Sequence, residues 1–496
     1  MLSIKFQLNS YRHKKLKYSG YRIYSGSNSI KVYRYETLAD ELDKHIKSQR
    51  WLVGERLPSI RDLSKQYAVA KNTVIQALHI LESSGTIESR PKSGFFVTVQ
   101  LERKAPLKPE FSSFQPKPVN VPDIFQDIMT RSAAFDILPR KFEGTPPQSL
   151  VTLQRHINNG MRHQALNKAM YYDEPKGVEI FRTVIKDWYR ASDVNLNADD
   201  FCITSGCQNS LFLALMATCK PGDNVAVECP CFYGVLQLLQ QLHLNVIEVP
   251  SFPDTGLDID MFEAALTSSK IKAVVVTPAF STPCGATIPK GVRSRIIELA
   301  NQYDIAIIED DIYGDLGFTE RPVPLKALDT QQRVVLCSSF SKSLSRDLRV
   351  GWVAGGRWHD QIVKLKLVTS LASNQAIPIG LANFIYKGEL KRHLYKKRQM
   401  LRLHRDQLVM SIQKYLADTV RFVVPNGGLS LWVELEPEVN TQALYHRLLS
   451  QNIVITPGAL FSVTDRFNSC LRLSFSHPTI GARDKAIKTL GEVLRR

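Results

Sequence analysis

The sequence predicts a multi-domain protein: a small helical head with a β-hairpin at residues 34–97, a linker at 98–121, and a large α/β body over 122–496. Three observations carry this expectation. At 496 residues the chain exceeds what one hydrophobic core can hold, so it must split. Its charge is uneven: of a net +17, a surplus of nine sits in residues 1–100, from 17 Lys/Arg against 8 Asp/Glu. Beyond residue 122, short β-branched apolar runs alternate with helical stretches, the pattern of a mostly parallel sheet covered on both faces by helices.

Composition removes several classes. A hydrophobic content of 44% with 22% charged residues is ordinary for a globular chain. No run of about 18 apolar residues predicts a transmembrane helix. The basic N-terminus lacks the apolar stretch and small-residue cleavage site of a secretory signal. The eight cysteines form no CxxC pair and no His/Cys ligand spacing, against both a zinc site and a disulfide framework. The expectation is a cytoplasmic protein with reduced thiols, without membrane or metal partners.

Residues 1–33 carry Lys5, Arg12, Lys14, Lys15, Lys17, Arg22 and Lys31 and no acid. Without helical or strand periodicity, they read as a flexible basic arm. From residue 34 the pattern changes. Leu38, Leu42 and Ile46 repeat at four-residue spacing and predict a first helix ending before Gly54. Ser59 caps a second helix, with Asp62 three residues on as its capping-box partner. In a third helix Val74, Ala77, Leu78 and Leu81 share one face, and Lys71, Asn72, Thr73 and Gln76 share the other. Thr86–Arg90 and Phe95–Val97 flank a Lys92-Ser93-Gly94 turn and predict a two-stranded wing. Helix, helix, short turn, polar-faced helix and basic hairpin make a winged helix-turn-helix; a small helical domain with a solvated face is the alternative. An excess of positive charge here suits a polyanionic partner.

The run Glu55-Arg56-Leu57-Pro58-Ser59-Ile60-Arg61-Asp62-Leu63, with Asn72-Thr73-Val74 and Ser93-Gly94-Phe95-Phe96-Val97, resembles the DNA-binding domain of the GntR family over its whole length. That resemblance implies double-stranded DNA as partner, contacted by Arg61, Lys71, Asn72, Thr73 and Gly94. Residues 98–121 are rich in proline and lysine and predict a semi-extended linker.

The body's strand-like runs are Val225–Cys229, Val246–Pro250, Ala273–Pro278, Ile305–Glu309, Val334–Cys337 and Val350–Ala354. Ligand sites in such sheets gather at strand ends. The central stretch runs from Val334 to Val353: an apolar strand, then Ser339, Ser341 and Lys342, then Arg349, then a second strand. A lysine between buried strands shifts its pKa down or finds a carbonyl to react with. Hydroxyls and an arginine beside it suit a dianionic phosphate. Together they suggest a Schiff-base lysine beside the phosphate of pyridoxal 5'-phosphate (PLP); a basic, Ser-rich loop accounts for them equally well. Gly206, Cys207 and Gln208 open an apolar helix whose N–H groups favour a phosphate. Phe232 stands at a strand end as a stacking ring or a core aromatic. Asp310, at the end of a buried strand, needs a cation, because burying an unpaired carboxylate costs several kcal/mol.

In chain order these motifs resemble the fold-type I aminotransferases over roughly residues 125–496, with a small α+β C-terminal subdomain from about 375. The resemblance implies Lys342 as the catalytic Schiff-base lysine, and Asp310 and Tyr313 at the pyridinium and the phenolic oxygen. It implies Ser339, with Ser341, and Arg349 at the phosphate and Phe232 stacked on the ring. Tyr172 would reach the partner subunit's phosphate, and Arg472 would hold a substrate carboxylate. Two departures stand out. Thr282-Pro283-Cys284-Gly285 replaces the usual Asn-Pro-x-Gly, putting Thr282 where an Asn donates to the phenolic oxygen, and Arg346-Asp347 replaces a common Pro-Gly. Head and body together resemble the MocR subfamily of bacterial transcription regulators. This implies a homodimer in which PLP, or an amino compound reacting with it, is the effector. A working aminotransferase carrying an accessory DNA-binding domain is the rival expectation, and Thr282 favours weak turnover.

Overall fold

The computed structural model describes residues 34–48, 50, 51, 54–83, 86–90, 93–97, 114–119, 128, 136–138, 147–164, 172, 174–416 and 419–495. The basic arm at 1–33 and Lys92 of the wing turn lie outside them. Two compact units divide at residues 100 and 101.

In the first unit, helix α1 (Arg34–Lys47), α2 (Ile60–Gln66) and α3 (Lys71–Ser83) precede strands β1 (Ile87–Arg90) and β2 (Gly94–Val97). The Ser59 hydroxyl caps α2, accepting from the Asp62 N–H at 3.3 Å and donating to Asp62 Oδ2 at 2.6 Å. Leu38, Leu42, Leu63, Val74, Ala77, Leu78 and Leu81 bury together as the spacing predicts. The wing pairs Ile87 with Val97 and Arg90 with Gly94. Residues 54–57 add a third run to it: the Gly54 N–H donates to Val97 O at 2.8 Å, and the Leu57 N–H to Phe95 O at 2.8 Å.

The second unit begins its described helices with α4 (Gln148–Gln164) and α5 (Glu179–Arg190). Then come β3 (Phe201–Thr204), α6 (Cys207–Thr218), β4 (Asn224–Cys229), α7 (Tyr233–Gln241), β5 (Asn245–Phe252) and β6 (Gly256–Leu257). Next are α8 (Ile259–Ser268), β7 (Ile271–Val276), α9 (Lys290–Gln302), β8 (Ala306–Asp310), β9 (Val334–Ser339) and β10 (Gly351–Ala354). The sheet order is β3-β10-β9-β8-β7-β4-β5-β6. From β9 to β5 the strands run parallel, while β10 lies antiparallel between β9 and β3. Successive residues point to opposite faces, and both faces are buried. Val225, Val227, Ile308, Val335 and Cys337 join one core, and Ala226, Val274, Ile307 and Val334 join another.

Helices α10 (His359–Ser370), α11 (Ala376–Tyr386) and α12 (Glu389–Leu416) follow. The small sheet takes the order β11-β12-β14-β13, formed by β11 (Val420–Phe422), β12 (Ser430–Leu435), β13 (Thr456–Pro457) and β14 (Cys470–Ser474). It is accompanied by α13 (Thr441–Leu449) and α14 (Ala482–Leu494). Two features differ from the sequence reading. Leu381, Ala382 and Phe384 of α11 bury with Phe181, Phe201 and Trp352, so α11 packs with the large sheet although it lies beyond residue 375. The end of the expected linker is docked: the Lys117 N–H donates to Val246 O at 3.0 Å, the Val246 N–H donates back at 2.9 Å, and Val119 is buried. β6 pairs with β5 only at Ser251 and Phe252, and the edge of β5 before them takes up this passing backbone.

Candidate functional site

The second unit brings four strand ends to one place. Asp310 closes β8, Ser339 closes β9, Thr204 closes β3, and Gly351 opens the antiparallel β10. Between them a cleft of about 120 Å³ is lined by Cys207, Gln208, Phe232, Thr282, Asp310, Tyr313, Ser339, Ser341, Lys342 and Arg349. Each of these residues is among the candidates that separate stretches of the sequence supply.

One end of the cleft is built to hold an anion. Helix α6 starts there, and its first N–H groups have no partner within the helix. Gly206 caps it with φ +101°, a backbone conformation that favours glycine, and a Cβ there would fall 2.9 Å from Arg349 Nη2. Arg349 adopts left-handed backbone at φ +46° and donates from Nη2 to Ser205 O at 2.9 Å. The Ser339 hydroxyl accepts from the Ser341 N–H at 3.3 Å. The Gln208 amide donates to Gly234 O at 2.7 Å, tying α6 to the start of α7.

The other polar wall asks for a cation. Asp310 is 4% exposed, and burial pushes its carboxyl up to about 6. The Cys207 thiol donates to Asp310 Oδ1 at 3.2 Å, and the Ile312 N–H and the Lys342 charge also favour ionisation. Burial outweighs all three. A protonated heteroaromatic nitrogen would supply the missing positive charge, so this wall fits the ring nitrogen of PLP as the helix end fits its phosphate.

Lys342 follows β9, and burial brings its ammonium down to about 7, with Arg346 and then Arg472 adding repulsion. Near neutral pH much of it is free amine. Tyr313 is buried, and burial raises its phenol above the usual range; the Arg472 charge and a hydrogen bond with Thr282 pull the other way. Thr282 Oγ1 lies 3.4 Å from Ser430 Oγ of β12. Phe232 precedes α7, its ring 4.6 Å from that of Tyr233.

Besides Gly206, which caps α6, two expected residues are not in the lining of this cleft. Arg472, on β14 between Trp432 and Thr456, is 2% exposed and lines a second, water-sized cavity of about 20 Å³. Its Nη2 donates to Thr456 Oγ1 at 3.4 Å, and its Cζ stands 5.8 Å from the Tyr233 ring centre and 5.3 Å from that of Phe461. Through that packing its charge still acts on Lys342 and Tyr313. Tyr172 stands 80% exposed. Sequence reasoning missed the Cys207 thiol as a donor to Asp310, and Arg346 as a charge beside Lys342. Only the second left a signal, an arginine where the resemblance has proline.

In the first unit Arg61 on α2 and Lys71 and Asn72 at the start of α3 are exposed, and Thr73 is half-buried. Gly94 has φ +101°, and a Cβ on it would meet Arg56 Nε at 3.1 Å. Arg56 therefore sits beside the wing turn, a basic residue to which the sequence motifs give no role.

Residues 34–97 match the family of bacterial regulatory proteins called gntR, and residues 143–490 match the class I and II aminotransferases. The HTH-type transcriptional regulator YjiR of Escherichia coli K12 is 36% identical over 470 residues, covering 93% of this chain and 99% of that protein. This chain is a GntR-family regulator of the MocR type. YdcR of the same organism, also an HTH-type transcriptional regulator, is 30% identical over 466 residues, covering 93% of this chain and 99% of its own. An aromatic-amino-acid aminotransferase of Thermococcus litoralis is 28% identical over 336 residues, covering 66% of this chain and 80% of its own. The kynurenine aminotransferase of Pyrococcus horikoshii, solved in complex with PMP, superposes with a TM-score of 0.69 at 25% identity. It covers 76% of this MocR-type chain and 95% of its own. The regulator thus joins a DNA-binding winged helix-turn-helix to an aminotransferase fold, a fold whose enzymes depend on PLP.

Proposed function

We propose that this regulator carries PLP on Lys342 and that an amino compound entering the same cleft is its signal. The observation that carries the reading is Asp310, a carboxylate buried at a strand end and lifted to about 6, in a cleft that the start of α6, Ser339, Ser341 and Arg349 also line. When bound, the cofactor's ring supplies an electron sink for the carbon bearing the amino group.

The chain's own residues take the rest. Gly206, Cys207 and Gln208 present backbone N–H groups to the phosphate, and Ser339, Ser341 and Arg349 add hydroxyls and a guanidinium. Phe232 covers the ring, Asp310 holds the ring nitrogen protonated, and Tyr313 and Thr282 donate to the phenolic oxygen. Lys342, whose ammonium desolvation brings down to about 7, attaches the cofactor and moves a proton at the neighbouring carbon. Arg472 receives the carboxylate of the amino compound. Tyr172 acts across the interface of a homodimer. In the head, Arg61, Lys71, Asn72, Thr73 and Gly94 read DNA. Residues 34–97 form that head, residues 98–121 connect it, and 122–496 form the body of a cytoplasmic bacterial protein.

Borohydride reduction of the purified protein followed by peptide mapping tests the assignment. A pyridoxyl group on Lys342 is the expected result; label on a different lysine, or none, overturns it. The match to an aromatic-amino-acid aminotransferase supports a second reading, an enzyme in its own right. Brisk multiple turnover with any of a panel of amino acids would establish that reading instead.

A further inference from the structure

The turn that carries Lys342 is gripped by a buried histidine that the cofactor reading leaves unused. β9 ends at Ser339, and the chain closes on itself at once. The Leu344 N–H donates to Phe340 O at 2.9 Å, and the Ser345 N–H donates to the same oxygen at 3.2 Å. Lys342 is in the middle of that loop. Phe340 and Leu344 sit in an apolar core, where they bury with Leu390 and Leu394 of α12. His393 shares the helix face of those two leucines, since residues three and four apart are neighbours on a helix. It is 9% exposed, and its Nε2 donates at 3.0 Å to Ser343 O, the carbonyl of the residue after Lys342. Its Nδ1 stands 2.8 Å from the hydroxyl of Ser149, near the start of α4.

These two partners decide the tautomer. A carbonyl oxygen only accepts, so Nε2 carries the proton and Nδ1 accepts from the Ser149 O–H. Burial, then the Lys397 charge, brings the imidazolium down to about 4 against the pull of the Ser343 carbonyl, so the ring is neutral at physiological pH. The Ser343 hydroxyl is buried without a hydrogen-bond partner among the described residues. Its carbonyl, not its side chain, is the polar point at which the turn is held.

We propose that His393 is a positioning residue: through Ser343 O it keeps the Lys342 amine at the cleft, and through Ser149 it ties that turn to α4. This rests on Lys342 as the residue that takes the cofactor. Losing the histidine leaves a buried carbonyl unpaired and the turn free to carry its lysine toward water.

Reductive methylation of the cofactor-free, full-length protein, mapped by peptide across a pH series, reads the titration of Lys342, because only free amine reacts. In the natural protein Lys342 should titrate at about 7, held down by burial and then by Arg346 and Arg472, with Asp310 and Cys207 opposing. His393→Leu should raise that midpoint by about one pH unit or more, and PLP affinity should fall about tenfold. His393→Gln, whose amide still donates to Ser343 O, should restore most of both. Ser149→Ala, a milder change that keeps the fold, should raise the midpoint by about half a unit. An unmoved Lys342 in His393→Leu and Ser149→Ala, or equal shifts in His393→Leu and His393→Gln, overturns the positioning role. If borohydride maps the pyridoxyl group to a different lysine while His393→Leu still moves Lys342, the cofactor assignment falls and the positioning stands. If the group maps to Lys342 and all variants titrate alike, the assignment stands and the positioning falls.

Discussion

Replacing Asp310 by asparagine should move cofactor-free stability and cofactor affinity in opposite directions. Burial lifts this carboxyl from 3.8 to about 6, a difference worth about 3 kcal/mol between its two protonation states. The folded state therefore binds more protons than the unfolded chain between about pH 4 and pH 6. Stability falls as pH rises through that window, and above it the full penalty is present. Asp310→Asn keeps the shape and removes the charge. It also weakens the contact with the Cys207 thiol, a loss of about 1 kcal/mol. At pH 7.5 the cofactor-free variant should then be about 2 kcal/mol more stable than the natural protein, and at pH 4 it should hold no advantage. PLP affinity should fall instead, since removing one partner of a buried charge pair costs about 3–5 kcal/mol, more than a hundredfold. Denaturant unfolding of both cofactor-free proteins at the two pH values gives the first quantity, and absorbance titration with PLP gives the second. A variant less stable than the natural protein at pH 7.5, or one binding PLP within threefold of it, would refute this account of Asp310.

Two further outcomes follow from named residues. Lys71→Ala should weaken binding to every DNA sequence and lower the slope of log affinity against log salt by about one, whereas Asn72→Ala should relax sequence preference with little change in slope; salt titrations on specific and scrambled duplexes distinguish them. Thr282→Asn should raise single- or multiple-turnover transamination by about one to two orders of magnitude, the worth of one charge-assisted donor, without changing DNA affinity.

Much of the site was legible because strand ends are where an α/β sheet puts its ligands. Asp310, Ser339 and Lys342 could be placed from the apolar runs before them, and Gly206 from the apolar helix after it. The capping pair Ser59 and Asp62 was legible for a similar reason, since the interaction is local. What escaped depends on contacts between distant parts of the chain. No periodicity announces that β10 turns over between β9 and β3, or that Lys117 pairs with Val246 on the edge of β5. Nor does spacing reveal that a thiol at the start of α6 donates to a carboxylate 103 residues later. Arg472 was found by its motif, but its burial over Tyr233 and Phe461, outside the cleft, is set by the packing of the small sheet.

Regulation by such a chain is a coupling free energy between the body's ligand site and the head's DNA site. A compound that binds equally well to the DNA-bound and free protein shifts nothing, however tightly it binds. A compound that changes operator affinity tenfold must carry about 1.4 kcal/mol of differential binding. Reciprocity then requires saturating operator DNA to change that compound's affinity tenfold, in the same direction and at the same salt concentration. Glutarate tests this without chemistry, because it cannot exchange with Lys342. An amino dicarboxylate tests it with chemistry available, and reciprocity binds only equilibria. If glutarate obeys the relation and moves operator affinity as far as L-glutamate does, occupancy of the cleft is the signal. If only the amine moves the head, the signal is the covalent change at Lys342, and the aminotransferase residues have been kept for a single reaction.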